Sequence, residues 1–218
     1  MKTNNIYKNN FLPLFLILCM AQCLIALFLD IYVLTEDKLR LSMEGKYEEK
    51  IIDYAVQSHK KQWIVTLIQV PILTIITIVI ESIALYIACQ FLEIKKRFNQ
   101  FMVVVTVANF VFIIPALVKL IYFMFRDATY SIKDVNNFSV GSLANLFQQE
   151  VNTPVYPVLK SINIFQAFFI WLLCIGMSYI LDNDKIKAKK VVFSGYVTLF
   201  FLYLIVIYLV TSILGTHA

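Results

Sequence analysis

An all-α polytopic membrane protein, with five transmembrane helices and short amphipathic helices in its two long loops, is the fold class the sequence predicts. Three observations carry that expectation. Of 218 residues, 60% are hydrophobic and 15% are charged, a balance that soluble domains do not show. The apolar residues gather in five runs, each long enough for a bilayer core that takes about 20 residues to cross. The lysines stand in short clusters beside those runs, where topology accounts for them. The net charge of +5 therefore does not signal a nucleic-acid partner.

The first run, residues 11–33, follows Lys2 and Lys8. It is longer than the roughly 7 to 15 apolar residues of a secretion signal and lacks a small-x-small cleavage site, so it reads as an anchor. Between residues 41 and 61 the apolar Tyr47, Ile51, Ile52 and Ala55 recur at helical spacing, with charges on the other faces. This predicts an amphipathic helix that leads into the second run and is too polar to cross. The second and third runs, 63–91 and 101–125, are joined by a turn carrying Lys95, Lys96 and Arg97. Pro71 and Pro115 fall inside these runs and predict kinks, either simple packing kinks, the commoner case, or kinks that open a shallow outward cavity, since a proline in lipid needs neighbours to repair the lost backbone bond.

In the second long connection, Val140, Leu143, Leu146, Phe147 and Val151 share one side of a short interfacial helix over 139–151. Pro154 and Pro157 then stop helix and bend the chain. The fourth run is 159–181, and a turn over 182–190 with Lys185, Lys187, Lys189 and Lys190 leads into the fifth, 191–214. With no repeat, low-complexity tract or long linker, residues 1–218 form one domain, a compact bundle.

Basic residues in the shortest connections set orientation. Both lysine-rich turns are assigned to the cytoplasm, which puts the N-terminus inside and the uncharged tail, 215–218, outside. The first long connection also holds basic residues, but Glu36, Asp37, Glu44, Glu48, Glu49 and Asp53 balance them. A composition heavy in Ile, Lys and Asn points to a bacterial inner membrane. Cys19, Cys23 and Cys174 lie inside apolar runs and Cys89 near the end of one, where thiols act as small hydrophobes, so no disulfide framework is expected. Cys19 and Cys23 are spaced to share a metal, yet His59 and His217 lie outside the runs. A structural zinc needs four nitrogen or sulfur ligands. Neither metal nor cofactor is expected.

One carboxylate interrupts this pattern. Glu81 lies ten residues before Phe91, about 15 Å into the membrane at 1.5 Å per residue. A charge there costs on the order of 3 kcal/mol, and the side chain is too short to reach either surface. Glu81 is therefore expected to face the bundle interior, with Asn109 and with Asn163 or Gln166 as polar partners. Lys119 lies about 12 Å from it in height by the same rise. A direct salt bridge is not expected; Lys119 instead snorkels to headgroups together with Arg126.

Signatures of common enzymes do not occur: no His-Glu-x-x-His, no Gly-x-Ser-x-Gly, no phosphate-cradling loop and no glycine-rich dinucleotide turn among five glycines. His59 stands beside Lys60 and Lys61 without an acid or nucleophile nearby in sequence, and reads as interfacial.

The string PVYPVLKSINIFQAFFIWLLCIGMSYILDNDKIKAKKVVFSGYV resembles the end of the Yip family, five-span membrane proteins named for interaction with Ypt/Rab GTPases. The resemblance rests on the proline-containing approach, on Asn163, Phe165 and Trp171 opening the fourth run, on Gly176 near its end, on the basic turn and on the apolar fifth run; in layout it covers 49–214. It implies a five-helix bundle with a cytoplasmic N-terminus, a role in membrane organisation or trafficking through protein partners, and no catalytic residues. Only ten residues precede Phe11, where eukaryotic members carry a long region, and this departure puts Rab binding in doubt. The leading expectation is a non-enzymatic protein whose partners are membrane lipids and other membrane proteins. The alternative is a transporter or channel component with a path past Glu81.

Overall fold

The computed structural model describes residues 10–45, 47–60, 62–126, 130–147 and 153–215. Among them every regular element is a helix. Four helices are long and apolar enough to cross a membrane: Phe11–Val33, Trp63–Phe91, Phe98–Phe125 and Lys185–Ile213. A fifth apolar helix, Ile164–Ile180, is shorter at 17 residues, the low end of spanning length.

α1 (Phe11–Phe28) runs on into a π-helical turn, Leu29–Val33. α2 (Glu36–Met43) and α3 (Glu49–Lys60) form the first long connection, reversing through Gly45 at φ 73°, a backbone region that favours glycine. α4 (Gln62–Phe91) is continuous through Pro71. The third run is α5 (Phe98–Asn109), a 3-10 turn (Phe110–Phe112) and α6 (Ile113–Phe125). The tightened turn has a local cause. Pro115 offers no N–H to the carbonyl of Val111, and its ring crowds that carbonyl. So one of the two expected proline kinks is a change of helical pitch, while Pro71 leaves α4 unbroken.

The second long connection holds α7 (Ile132–Asn137), α8 (Leu143–Phe147) and α9 (Val155–Ser161). α10 (Ile164–Ile180) follows, then the last run: α11 (Lys185–Val192), a π-helical stretch (Phe193–Val197) and α12 (Thr198–Gly215).

Several boundaries differ from those the sequence suggests. The amphipathic helix starts at Glu49, so Tyr47 precedes it, and its buried pair is Ile52 and Val56 while Ile51 is exposed. Acidic residues at 36 and 37 begin a separate helix, α2, whose polar sequence hides it from hydrophobic periodicity. Of the expected interfacial helix the described residues show Leu143–Phe147, with Ala144 buried and Leu146 exposed; residues 148–152, Val151 among them, lie outside the described residues. Pro154 and Pro157 do not end a helix. Pro154 precedes the first residue of α9 and Pro157 sits in its first turn, where an N–H has no intrahelical acceptor to lose. The fourth run breaks at Ile162 and Asn163, so Leu159 belongs to α9. The basic segment is no loop either: its lysines ride on α11, and the turn before it is closed by Asp182 and Asn183 at φ 57° and 66°.

The two short turns meet at one end of the bundle, tied by Lys96 Nζ to Asp182 Oδ2 at 3.2 Å. At the other end the long connections pack on each other. Tyr130 donates to the Val33 carbonyl at 3.3 Å, Lys38 Nζ lies 3.1 Å from the Tyr130 ring centroid, and Thr211 reaches the Pro154 carbonyl at 3.1 Å. A small cluster of Ile25, Val33, Leu120, Phe123 and Val135 fills this end. The main core lies along α1, α4, α5, α10 and α11, around Leu18, Leu85, Phe101, Phe169 and Met177.

Candidate functional site

Two glycines bring the helices around Glu81 together. A Cβ on Gly176 of α10 would lie 2.6 Å from Val104 Cγ1 on α5, and one on Gly195 would lie 2.7 Å from the backbone oxygen of Ala84 on α4. Close backbone approach through small residues is how membrane helices gain packing without a hydrophobic drive. Gly195 sits in the π-helical stretch of the last run, so the chain is held against α4 one residue before Tyr196, on the same part of α4 that carries Glu81.

Four polar side chains meet there. Glu81 of α4, Asn109 at the end of α5, Gln166 in the first turn of α10 and Tyr196 are each less than 9% exposed. Asn109 Nδ2 donates to Glu81 Oε2 at 3.0 Å and to the Val105 carbonyl at 3.0 Å. Gln166 Nε2 donates to the Tyr196 hydroxyl. Tyr196 packs between Phe169, ring centroids 4.9 Å apart, and Phe200, 6.5 Å apart. The pairs face a cavity of about 460 Å³ whose polar lining is Thr77, Glu81, Asn109, Gln166, Tyr196 and Tyr203. Among the described residues Glu81 Oε1 has no hydrogen-bond partner, yet it is not sealed in protein; the one buried side-chain polar atom without a partner among them is Ser82 Oγ. Oε1 therefore faces the cavity.

Of the predicted cluster, the structure brings Glu81, Asn109 and Gln166 to one cavity. Asn163 is not part of it. Its Oδ1 accepts from the Gln166 backbone N–H at 2.9 Å and its Nδ2 donates to the Ser161 carbonyl. It caps α10, the role an extended asparagine takes before a helix, and so it fixes where Gln166 starts. Lys119 is half-buried on α6, and no ion pair among the described residues involves Glu81. Arg126 is exposed, its guanidinium 5.5 Å from the Tyr122 ring centroid and hydrogen-bonded to that hydroxyl at 3.1 Å.

Three features escape the sequence reading. Tyr196 is one, although a tyrosine well inside an apolar run is itself a signal, since the aromatic belts place tyrosine at the interfaces. Gln22 and Thr74 are another pair, joined at 2.7 Å between α1 and α4. The third is an acid beside His59. Its Nε2 lies 2.7 Å from the Leu34 carbonyl, so that nitrogen is the donor, and 3.4 Å from Asp30 Oδ1. The chain separation of the two hides the contact. Near the same end, burial holds the Lys160 ammonium below its usual range while it donates to the Asn136 carbonyl at 2.7 Å.

A family model described as the Yip1 domain matches residues 4–207. The chain belongs to the Yip family. The match takes in the first run as well as the later ones, so it extends N-terminally beyond the 49–214 layout of the sequence resemblance. No curated protein and no solved structure matches this Yip protein. It is an integral membrane protein of that family, with the polar cavity set among its apolar helices.

Proposed function

We propose that this Yip protein is non-enzymatic and acts by binding lipids or other membrane proteins inside the bilayer. The observation that carries the reading is how the buried polar groups are disposed. Glu81 is held by Asn109 and Gln166 by Tyr196, so the polar atoms clasp helices to one another, and what remains faces a cavity whose wall surface is mainly apolar. The rim is reached from the sides of the helices, where Ile80 and Tyr203 are about half exposed, as a recess serving the membrane interior requires. The same reading places the protein in a bacterial inner membrane with the Lys96 and Asp182 end cytoplasmic, in keeping with the positive-inside rule. The N-terminus is then inside and the C-terminus outside.

Native mass spectrometry of the protein released from gentle detergent tests this. Expected are adducts of one lipid or one partner chain that survive rising collision energy. Bare protein at every energy, together with a catalytic turnover or a flux in reconstituted vesicles, overturns it.

A second reading, a component of a transporter or channel, is favoured by one observation: Glu81 Oε1 is open to the cavity at mid-helix. Loss of a measured vesicle flux in Glu81→Gln would establish it at the expense of the first.

A further inference from the structure

The cavity beside Glu81 has a chemical polarity that selects its occupant. Both partners of Asn109 Nδ2 are oxygens, a carboxylate and a backbone carbonyl. A carbonyl can only accept, which assigns the amide and turns Oδ1 away from both. Oδ1 is not a sealed orphan atom either, so it faces the cavity. The cavity therefore presents free acceptors at Asn109 Oδ1 and Glu81 Oε1, and by the same reasoning at Gln166 Oε1, whose Nε2 alone is engaged, with Glu81 the one carboxylate on its wall. An occupant that meets these three oxygens donates hydrogen bonds, the hydroxyls of Thr77, Tyr196 and Tyr203 being able to turn as acceptors too, and a positive charge is favoured because it compensates a carboxylate held in a low-dielectric setting.

The rest of the wall describes the occupant's body. Phe112, Phe200, Tyr196 and Tyr203 line the same space, a wall of aromatic rings that suits an apolar or aromatic skeleton by contact. About 460 Å³ lies within the range of small-molecule pockets, about 300 to 1,000 Å³, and is far more than a bare alkali ion fills. Ile80 and Tyr203 at the rim are about half exposed on the helix flanks, so entry is sideways, from lipid. A strongly hydrated molecule does not take that route.

We infer that this cavity is a binding site for a lipid-soluble monoamine, a single ammonium on an apolar or aromatic body, with Glu81 as counter-charge, Asn109 Oδ1 as second acceptor and the aromatic rings around the skeleton. The inference rests on the cavity being a binding recess, as proposed above. A compact aromatic amine and a long-chain alkylamine share this chemistry, and the length of the body separates them.

The test uses the full chain in lipid nanodiscs with fluorinated phenethylamine followed by fluorine NMR, and with dodecylamine as competitor. Expected is saturable binding with one site per chain, weakened about tenfold or more in Glu81→Gln. Gln keeps an oxygen for Asn109 but removes the charge. Tyr203→Ala at the rim is a second variant, expected to weaken binding while thermal unfolding stays unchanged, and it serves where Glu81→Gln does not fold. Competition by dodecylamine at lower concentration marks the lipid-like source, and its absence the compact one; both uphold the site. Equal affinity for 2-phenylethanol, equal binding in both variants, or displacement by sodium ion alone overturns it. If the amine fails while the lipid or partner adducts of the native protein persist, only this inference falls; if both vanish, the reading beneath it falls too.

Discussion

Asn109 Nδ2 lies 3.0 Å from Glu81 Oε2, joining α5 to α4 through two buried side chains. Because the amide also binds the Val105 carbonyl, the bond is geometrically held and not one of several alternatives. A double-mutant cycle with Glu81→Leu and Asn109→Leu is expected to give a coupling of about 0.6 kcal/mol, and no more than about 1.7 kcal/mol, the range of polar contacts between membrane helices. Glu81→Gln should lose less than Glu81→Leu because it retains an oxygen acceptor. Unfolding free energies in bicelles read these values; additivity of the two leucine variants would show that the contact does not hold the helices.

The two close-packed glycines should answer differently to the same substitution. At Gly195 an added methyl meets the backbone oxygen of Ala84 at 2.7 Å, which cannot move without moving α4. At Gly176 it meets Val104 Cγ1 at 2.6 Å, the end of a side chain. Overpacking costs about 1 to 3 kcal/mol, and Gly195→Ala is expected toward the upper end with Gly176→Ala below it. Thermal unfolding in detergent orders them. Gly195→Ala should also shift the tyrosine signal of the cavity, since it displaces the segment bearing Tyr196.

How much of this was legible follows from depth and periodicity. Glu81, Asn109 and Gln166 stand out as polar residues in apolar runs, and lipid leaves such groups only each other to bind, so the sequence points to their meeting while leaving Asn163 and Gln166 as alternatives. Asn163 has the same residue type but stands at the break before α10, where a cap satisfies more backbone than a distant carboxylate could. Spacing in one dimension does not tell a cap from a core residue. α2 was hidden because nothing in it is buried, which removes the periodic signal on which helix reading depends. The contact of His59 with Asp30 depends on the chain returning to the end of α1, information that resides in tertiary packing.

Ser82 carries the one buried orphan hydroxyl among the described residues. It is fully buried, and a sealed hydroxyl without a partner incurs its desolvation penalty, about 1 to 3 kcal/mol. Ser82→Ala removes that penalty and leaves almost no void, so it should be neutral or stabilising. A higher midpoint of thermal unfolding, with unchanged amine or lipid binding, is the expected outcome. A large loss of stability would mean that the hydroxyl has a bound partner.

The start of α11 offers a pH test outside the membrane-spanning segments. Asp184 Oδ1 accepts from the backbone N–H groups of Lys187 and Ile186 at 3.0 and 3.1 Å, and its Oδ2 lies 3.2 Å from Lys187 Nζ. The Lys187 backbone bond leads in holding the carboxyl below its ordinary value of 3.8, followed by the Lys187 side chain. Since the folded-state value is the lower one, the cap's contribution is fully present above the ordinary carboxylate range and is lost as pH falls through the folded-state value. Protection of the Ile186 and Lys187 amides against hydrogen exchange, corrected for intrinsic rates, should therefore decline in acid below that range. Asparagine caps helices as well as aspartate but does not titrate, so Asp184→Asn should hold its protection flat over the same interval. Parallel loss in both proteins would show that the acid response arises elsewhere, and that the turn joining α10 to α11 is not closed by this charge.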